Sequence, residues 1–279
     1  WKAGISDMVK VFYRQQPWAM VGSVDSTSTH LLEQISAKIR VPVLNPVNTD
    51  KSANLANVPW LFSMLPGDHI LARILVKGIK SRTDAKDPLV LISGTDHDSR
   101  LFSREVRTSL AEEQLVPAFV FDYLPDVPLP WERISSDTSR FLVIAPPAES
   151  ADLIREIRAR NFRGMVFGGP LMGRSLFREL LQADPGGIIY VSPGECSPDT
   201  RFAARFRSLT GRNPDYAAAS AYDSIFLLRD ALLRSGLNRV RLLDEIRELS
   251  PWDGISGRIE WDPLGQNARK GRIVAISPE

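Results

Sequence analysis

The sequence predicts an α/β protein of two Rossmann-like lobes, each a parallel sheet flanked by helices. Three features point there. Short, continuous apolar runs recur along the chain, amphipathic helical patterns separate most of them, and polar joints bearing Pro or Gly interrupt the rhythm three times. A strand that is apolar throughout, rather than in alternation, is buried on both faces, as in a parallel sheet covered by helices.

The chain opens on "WKAGISDMVKVFYRQQ", whose apolar spacing fits the later part of a helix. Strands are predicted at "AMVG" (19–22), "VPVLNP" (41–46), "LVLIS" (89–93) and "AFVFDYL" (118–124). Three more follow at "FLVIAPP" (141–147), "GMVFGG" (164–169) and "GIIYVS" (187–192). Between them lie helical patterns such as "THLLEQISAKI", "SREVRTSLAEEQ" and "ESADLIREIRARN". The rhythm then changes. A long helix, "YAAASAYDSIFLLRDALLRSG", precedes "RLLDEIREL" and two strands, "GRIEWD" and "GRIVAIS", which the turn "PLGQNARK" would join as a hairpin. The joints are "KSRTDAKDP" (80–88), "SPGECSPD" (192–199) and "SPWDGISG" (250–257). Three joints fit a chain passing back and forth between lobes, with 1–83 and 197–251 in the first and 84–196 and 252–279 in the second.

Of the 279 residues 43% are apolar and 24% charged, with a net charge of +2, so neither a nucleic-acid footprint nor a strongly acidic partner is implied. The basic stretch "REIRARNFR" (155–163) reads as the solvated face of a helix. A single cysteine, Cys196, rules out an internal disulfide. No run approaches the roughly 18 apolar residues of a membrane span. Because the sequence opens on Trp1 within a helical pattern, a longer precursor is expected, from which a targeting segment can have been lost.

Chemistry concentrates in "VGSVDSTSTH" (21–30), with five hydroxyls, one carboxylate and one imidazole. A helix starting after a strand leaves N–H groups unpaired, and Ser or Thr there can cap it, bind a ligand, or do both. Its partial positive charge suits an anion. A nucleophile is disfavoured: Ser26 lacks the Gly-x-Ser-x-Gly elbow, and His30 sits about one turn along the helix. Neither phosphate-binding glycine motif is present. In "GTDHDSR" (94–100), Asp96, His97 and Asp98 fall at a strand's carboxyl end, where ligands bind in open α/β sheets. A carboxylate there can pair with an ammonium or stand in a solvated loop. His97 has no metal-like spacing with His30 or His69, and no metal or cofactor is expected.

The order "VGSVDSTSTH…VPVLNPVNTD…NVPWLFSMLPGD" resembles the type I periplasmic solute-binding proteins, in particular the leucine/isoleucine/valine-binding branch that serves branched-chain amino acid ABC transporters. Two downstream stretches agree: "YDSIFLLRDALLRSG" (222–236) and "WDGISGRIEWDPLGQ" (252–266), the latter similar to the family's "fDGxxGxIxFDxxG". The resemblance spans nearly the whole chain. It implies two lobes joined by a three-crossover hinge, closing on a small polar solute, an amino acid or related compound. It also implies a non-enzymatic, extracytoplasmic receptor that meets an ABC permease and touches the membrane only through it. Alternatives are a ligand-sensing domain of the same fold and, further off, a hydrolase.

By resemblance, Ser26 holds the position whose hydroxyl binds an amino-acid carboxylate, with Thr27 beside it. Val47, through its backbone, and Thr49 hold the next contacts. Asp96, His97 and Pro146 would face the solute from the second lobe, and Tyr222 would either line the site or pack in the core. The sequence departs from the branch where an aromatic and an ammonium-binding Glu are usual, carrying Pro146 and Pro170, and has Ser63 in place of an Arg. An α-amino acid therefore does not follow from the family alone. The family also begins with a β–α–β segment of about 60 residues. Without it, "AMVG" is expected at an open sheet edge, with residues near 1–25 meeting protein outside this sequence.

Overall fold

The computed structural model describes residues 2–84, 86–134, 138, 140–182 and 185–276. Helix α1 (Lys2–Gln15) leads to β1 (Met20–Val21), α2 (Ser26–Ile39), β2 (Val43–Asn45), β3 (Leu61–Ser63) and α3 (Asp68–Lys80). Next come β4 (Leu89–Gly94), α4 (His97–Glu112), β5 (Phe119–Tyr123), β6 (Arg140–Ile144), α5 (Pro147–Ala159) and β7 (Met165–Gly168). They are followed by α6 (Ser175–Leu181), β8 (Ile188–Ser192), α7 (Arg201–Thr210), α8 (Tyr216–Ser235) and α9 (Arg239–Glu248). Strands β9 (Trp252–Gly254), β10 (Gly257–Ile259) and β11 (Arg272–Ala275) complete the order. No described helix is long and apolar enough to cross a membrane.

The chain divides into two compact units. Unit 1 holds 1–67, 194–205 and 216–269; unit 2 holds 68–193, 206–215 and 270–279.

Unit 2 shows why its strands read as unbroken apolar runs. Its sheet runs β11-β8-β7-β6-β4-β5, parallel throughout except that β11 is antiparallel to β8. Side chains alternate between faces, and both faces are dry. Val90, Ile92, Phe141 and Val143 pack on Leu153, Ile154 and Ile157 of α5 and Phe177 of α6. Leu89, Leu91, Leu142 and Ile144 pack on Leu71 and Leu75 of α3 and Phe102 and Val106 of α4. The edge strands are less covered: β5 alternates between half-buried and exposed positions up to the buried Tyr123, and β11 is exposed at Arg272 and Ala275.

Unit 1 has a parallel sheet in the order β1-β2-β3. Val21, Leu44 and Phe62 share one core with Leu227, Leu228 and Ala231 of α8 and Leu242 and Ile246 of α9. Met20 and Val43 lie in the opposite core with Met8 of α1 and Leu32 of α2. As expected for "AMVG", β1 is an edge, with β2 its one strand neighbour among the described residues. The segment after β10 flanks the outer strand: Ser63 N donates to Gly265 O at 2.9 Å and Trp261 Nε1 donates to Ser63 O at 2.9 Å.

Two expectations need correction. "GRIEWD" and "GRIVAIS" do not form a hairpin: β10 pairs with β9 and β11 with β8. A two-residue turn, Ile255–Ser256, already closes β9 on β10, and Gly257 follows it at φ +106°, a conformation that favours glycine. The division also differs from boundaries at 83 and 251, since 68–83 falls in unit 2 and 252–269 in unit 1. The buried face of α3 belongs to the core of Leu91, Ile144 and Val191, so the first passage lies before this helix, at Gly67. The β3 strand went unpredicted because three residues are too few to show a period.

Candidate functional site

The carboxyl ends of the strands carry most of the sequence-predicted residues. In unit 1, β1 gives way to Ser23, held at φ +80°, and then to Asp25, whose side chain caps α2 by accepting from Ser28 N at 2.7 Å. The strained Ser23 is fixed on both sides. Its hydroxyl donates to Asn45 Oδ1 at 3.0 Å and lies 2.7 Å from Thr29 Oγ1. Asn45 ends β2 fully buried, and its Oδ1 also accepts from Val47 N (3.3 Å) and Asn48 N (3.1 Å), while its Nδ2 donates to Asn48 O (3.2 Å). One side chain thus fastens two strand-end loops.

Asp50 is a second hub. It accepts from Ser52 N at 2.8 Å and from the Ser52 hydroxyl at 2.7 Å, capping a short 3₁₀ turn over 51–54. The Ser26 hydroxyl donates to its Oδ2. His30 Nε2 lies 3.2 Å from the same oxygen, and His30 Nδ1 lies 3.2 Å from Glu33 Oε2. Burial works to raise the Asp50 carboxyl, yet the bonds from Ser26 and Ser52 and the nearby imidazole outweigh it and hold it below the ordinary 3.8. Burial wins at Glu33, which is pushed above its usual range against the pull of His30.

Ser26 is completely buried with its one proton committed to Asp50, so it does not present the hydroxyl that the resemblance implies. The usual serine nucleophile gives its proton to an imidazole; Ser26 gives its own to the Asp50 carboxylate. Thr27 is exposed on α2, Val47 and Thr49 are half-buried in the β2 loop, and Val47 N–H is taken by Asn45. Tyr222 is neither core nor isolated. It is 38% exposed and its ring packs at a tilt against Phe202 of α7 (4.8 Å) and Phe226 of α8 (4.3 Å).

The two downstream signatures meet. Asp223 of "YDS" is 1% exposed and accepts from Ile255 N (3.0 Å) and Ser256 N (2.7 Å) of "DGISG". A Cβ on Gly254 would lie 2.2 Å from Asp223 Oδ2, so this approach requires glycine. Arg269 donates to Ser256 O at 2.7 Å; burial pushes its guanidinium down to about 10, against the pull of Asp223 and Glu195. The spacing therefore serves a buried frame in unit 1.

In unit 2, β4 and β6 are neighbours, so α4 and α5 start side by side. Asp96 caps α4, its Oδ1 accepting from Ser99 N at 3.0 Å. His97 is exposed at the first position of that helix. Pro146 stands at the start of α5, where no side chain caps the free N–H groups. Glu149, in the first turn, was not singled out from sequence. Its carboxyl is pushed up by burial and by the charges of Asp96 and Asp152. Asn45, Asn48 and Asp50 were also passed over. A polar residue closing an apolar strand, as in "VLNP", was the available signal.

Comparison with known proteins follows the same lines. A search of curated proteins finds no match. Among solved structures, the leucine binding protein LivK from Thermotoga maritima MSB8 is similar at a TM-score of 0.83 and 18% identity, over 98% of this chain and 80% of that one. The branched-chain amino acid transporter substrate binding protein LivJ from Streptococcus pneumoniae, in complex with isoleucine, gives 0.82 and 16%, over 98% and 80%. A periplasmic binding protein type 1 from Bordetella pertussis Tohama I gives 0.79 and 11%, over 96% and 80%. At such identities these likenesses establish the type I periplasmic binding protein fold. The periplasmic binding protein family model matches residues 4–278, and with the fold and the two joined signatures this places the chain in that family.

Proposed function

We propose that the chain is the solute-binding receptor of an ABC-type uptake system, taking an amino acid or related small polar compound outside the cytoplasm and presenting it to a permease. The observation that carries this reading is the family match across residues 4–278, joined to polar strand-end loops in both units at the end where such sheets hold ligands. The similar LivJ structure holds isoleucine, which sets the chemistry to test first.

In this reading Thr27, Val47 and Thr49 are the contacts offered by unit 1, and Ser26 acts through Asp50 rather than with its own hydroxyl. Asp96, His97 and Pro146 are the contacts offered by unit 2, and Tyr222 is a further candidate on α8 of unit 1. Binding is the whole of the task, with no bond made or broken. The test is thermal unfolding of the purified protein against a panel of amino acids, their amides and short amines, followed by calorimetry on each hit. A receptor should show at least one stabilising solute with a dissociation constant in the micromolar range or below, about −8 kcal/mol. A panel without a single stabilising solute would remove the reading.

A further inference from the structure

We infer that unit 1 carries a separate site for an anionic amphiphile, an apolar tail with a carboxylate head, in a groove at the amino ends of its strands. The inference stands apart from the receptor reading, because it needs no solute in the strand-end loops. The groove forms where α1 and α2 end and α9 begins, whereas the loops of Asn45 and Asp50 lie at the carboxyl ends of the same strands. Its volume is about 630 Å³, inside the range of about 300–1,000 Å³ found for ligand clefts. Phe12 and Ile39 form its inner wall and belong to one core with Ile35 and Val41. Tyr13, Trp18, Leu237 and Val240 also line it, each between 43% and 73% exposed. Single exposed apolar side chains are ordinary, but four large ones around one hollow mark a contact surface.

Charge selects the head of the ligand. Lys38 and Arg239 line the groove, and no acidic residue does. Arg239 is half-buried: its Nε donates to Pro17 O at 3.1 Å and its Nη1 to Ile39 O at 3.4 Å, and its guanidinium lies 5.8 Å from the centre of the Trp18 ring. These contacts fix the group in place without neutralising it. Neither Arg239 nor Lys38 makes an ion pair among the described residues. Arg14 and Arg40, each next to a lining residue in the chain, are exposed and add to the positive field. Burying a cation is costly unless an anion pairs with it, and a guanidinium bonds a carboxylate more strongly than a neutral acceptor. The aromatic and aliphatic wall takes the hydrocarbon out of water. A second copy of this chain is a poor occupant, since a two-fold contact through the groove would set cations against cations.

The test compares two probes with the same tail, decanoate and decan-1-ol, by calorimetry on the full chain. Decanoate should bind in the micromolar range, and decan-1-ol at least tenfold more weakly. Lys38→Gln removes one cation, and Leu237→Asp places a carboxylate on the rim. Both positions are exposed, so the melting temperature should match that of the parent, while each variant should weaken decanoate at least fivefold. Trp18→Phe should remove the fluorescence change that decanoate produces, which locates the probe in the groove. No binding of decanoate overturns the inference, as does decan-1-ol binding equally well. Either charge variant binding decanoate like the parent also overturns it, because the probe then sits elsewhere. A stabilising solute from the panel should leave decanoate affinity within twofold; a solute that displaces decanoate puts the probe in the solute site and overturns the inference. Phosphatidylglycerol vesicles separate one bound molecule from a lipid surface. Protein that sediments with them yet ignores free decanoate overturns the site in favour of surface docking.

Discussion

The two units finish their strands differently. In unit 1 most strand-end polar groups satisfy one another: Asn45 holds Ser23, Val47 and Asn48, and Asp50 holds Ser26, Ser52 and His30, while Asn48 Nδ2 and Glu33 Oε1 are buried without a partner among the described residues. In unit 2 the cap on α4 leaves Asp96 Oδ2 and Ser99 Oγ without partners, and α5 starts on Pro146 with no side-chain cap. Polar residues at a strand's carboxyl end can thus build the loop or wait for a solute. Only the hydrogen-bond inventory tells them apart. The resemblance points most firmly at Ser26, whose proton is spent on Asp50, whereas Asp96 in unit 2 keeps one oxygen without a partner among the described residues.

That contrast is most exposed to test at Asn45. Asn45→Ala would leave the Ser23 hydroxyl and the Val47 and Asn48 N–H groups without their acceptor in a fully buried place. Each stranded group costs about 1–3 kcal/mol, so a loss of about 3 kcal/mol in urea unfolding is expected. A loss under about 1 kcal/mol would mean that the loops hold themselves and unit 1 has no frame.

Asp50 should give a smaller, pH-dependent effect. Its folded pKa lies below the ordinary 3.8, so the native state favours the ionised form. Stability from this carboxylate is then fully present above the unfolded value and is lost as pH falls through the lower folded one. Asp50→Asn should cost about 1–2 kcal/mol at neutral pH, the scale of hydrogen bonds to a charged group. The difference between parent and variant should fade in acid. An acid-independent difference would show that shape, not charge, matters at this hub.

Ser26→Ala separates frame from contact. Losing one bond to a charged partner should lower stability by about 1.5 kcal/mol. Solute affinity should stay within about twofold, because the proton is already committed to Asp50. A tenfold loss of affinity with unchanged stability would return Ser26 to the solute and reverse the assignment of roles.

The sequence made the fold legible where burial leaves a repeating trace. Continuous apolar runs located β4 and β6, because both faces of these strands are covered, and amphipathic spacing located α5 and α8. It was silent where few residues decide, as in β3, and misleading at the end of the chain. There β10 and β11 share a look but pair in different sheets: β10 turns back on the adjacent β9, while β11 joins β8, far upstream and beyond the reach of local pattern. The candidate site was legible by position more than by role. Loop chemistry singled out Ser26 and Asp96 alike, yet whether a hydroxyl is spent depends on a residue such as Asp50, 24 positions away.

The smallest effect bears on the unspent half. Burial and the neighbouring charges of Asp96 and Asp152 hold the Glu149 carboxyl above its ordinary 4.5. With the folded pKa raised, the native state binds the proton more tightly than the unfolded chain, and stability falls as pH rises through that window. At neutral pH the ionised group is a net cost. Glu149→Gln removes it at nearly constant shape, so the empty protein should gain on the order of 0.5 kcal/mol, kept small because solvent screens a partly exposed charge. Below about 4.5, where both states carry the proton, parent and variant should unfold alike. Unfolding curves for both proteins at neutral pH and below about 4.5 would read the gain and its disappearance in one experiment. A variant less stable than the parent when empty would mean that Glu149 already has its partner, and the contrast between the units would disappear.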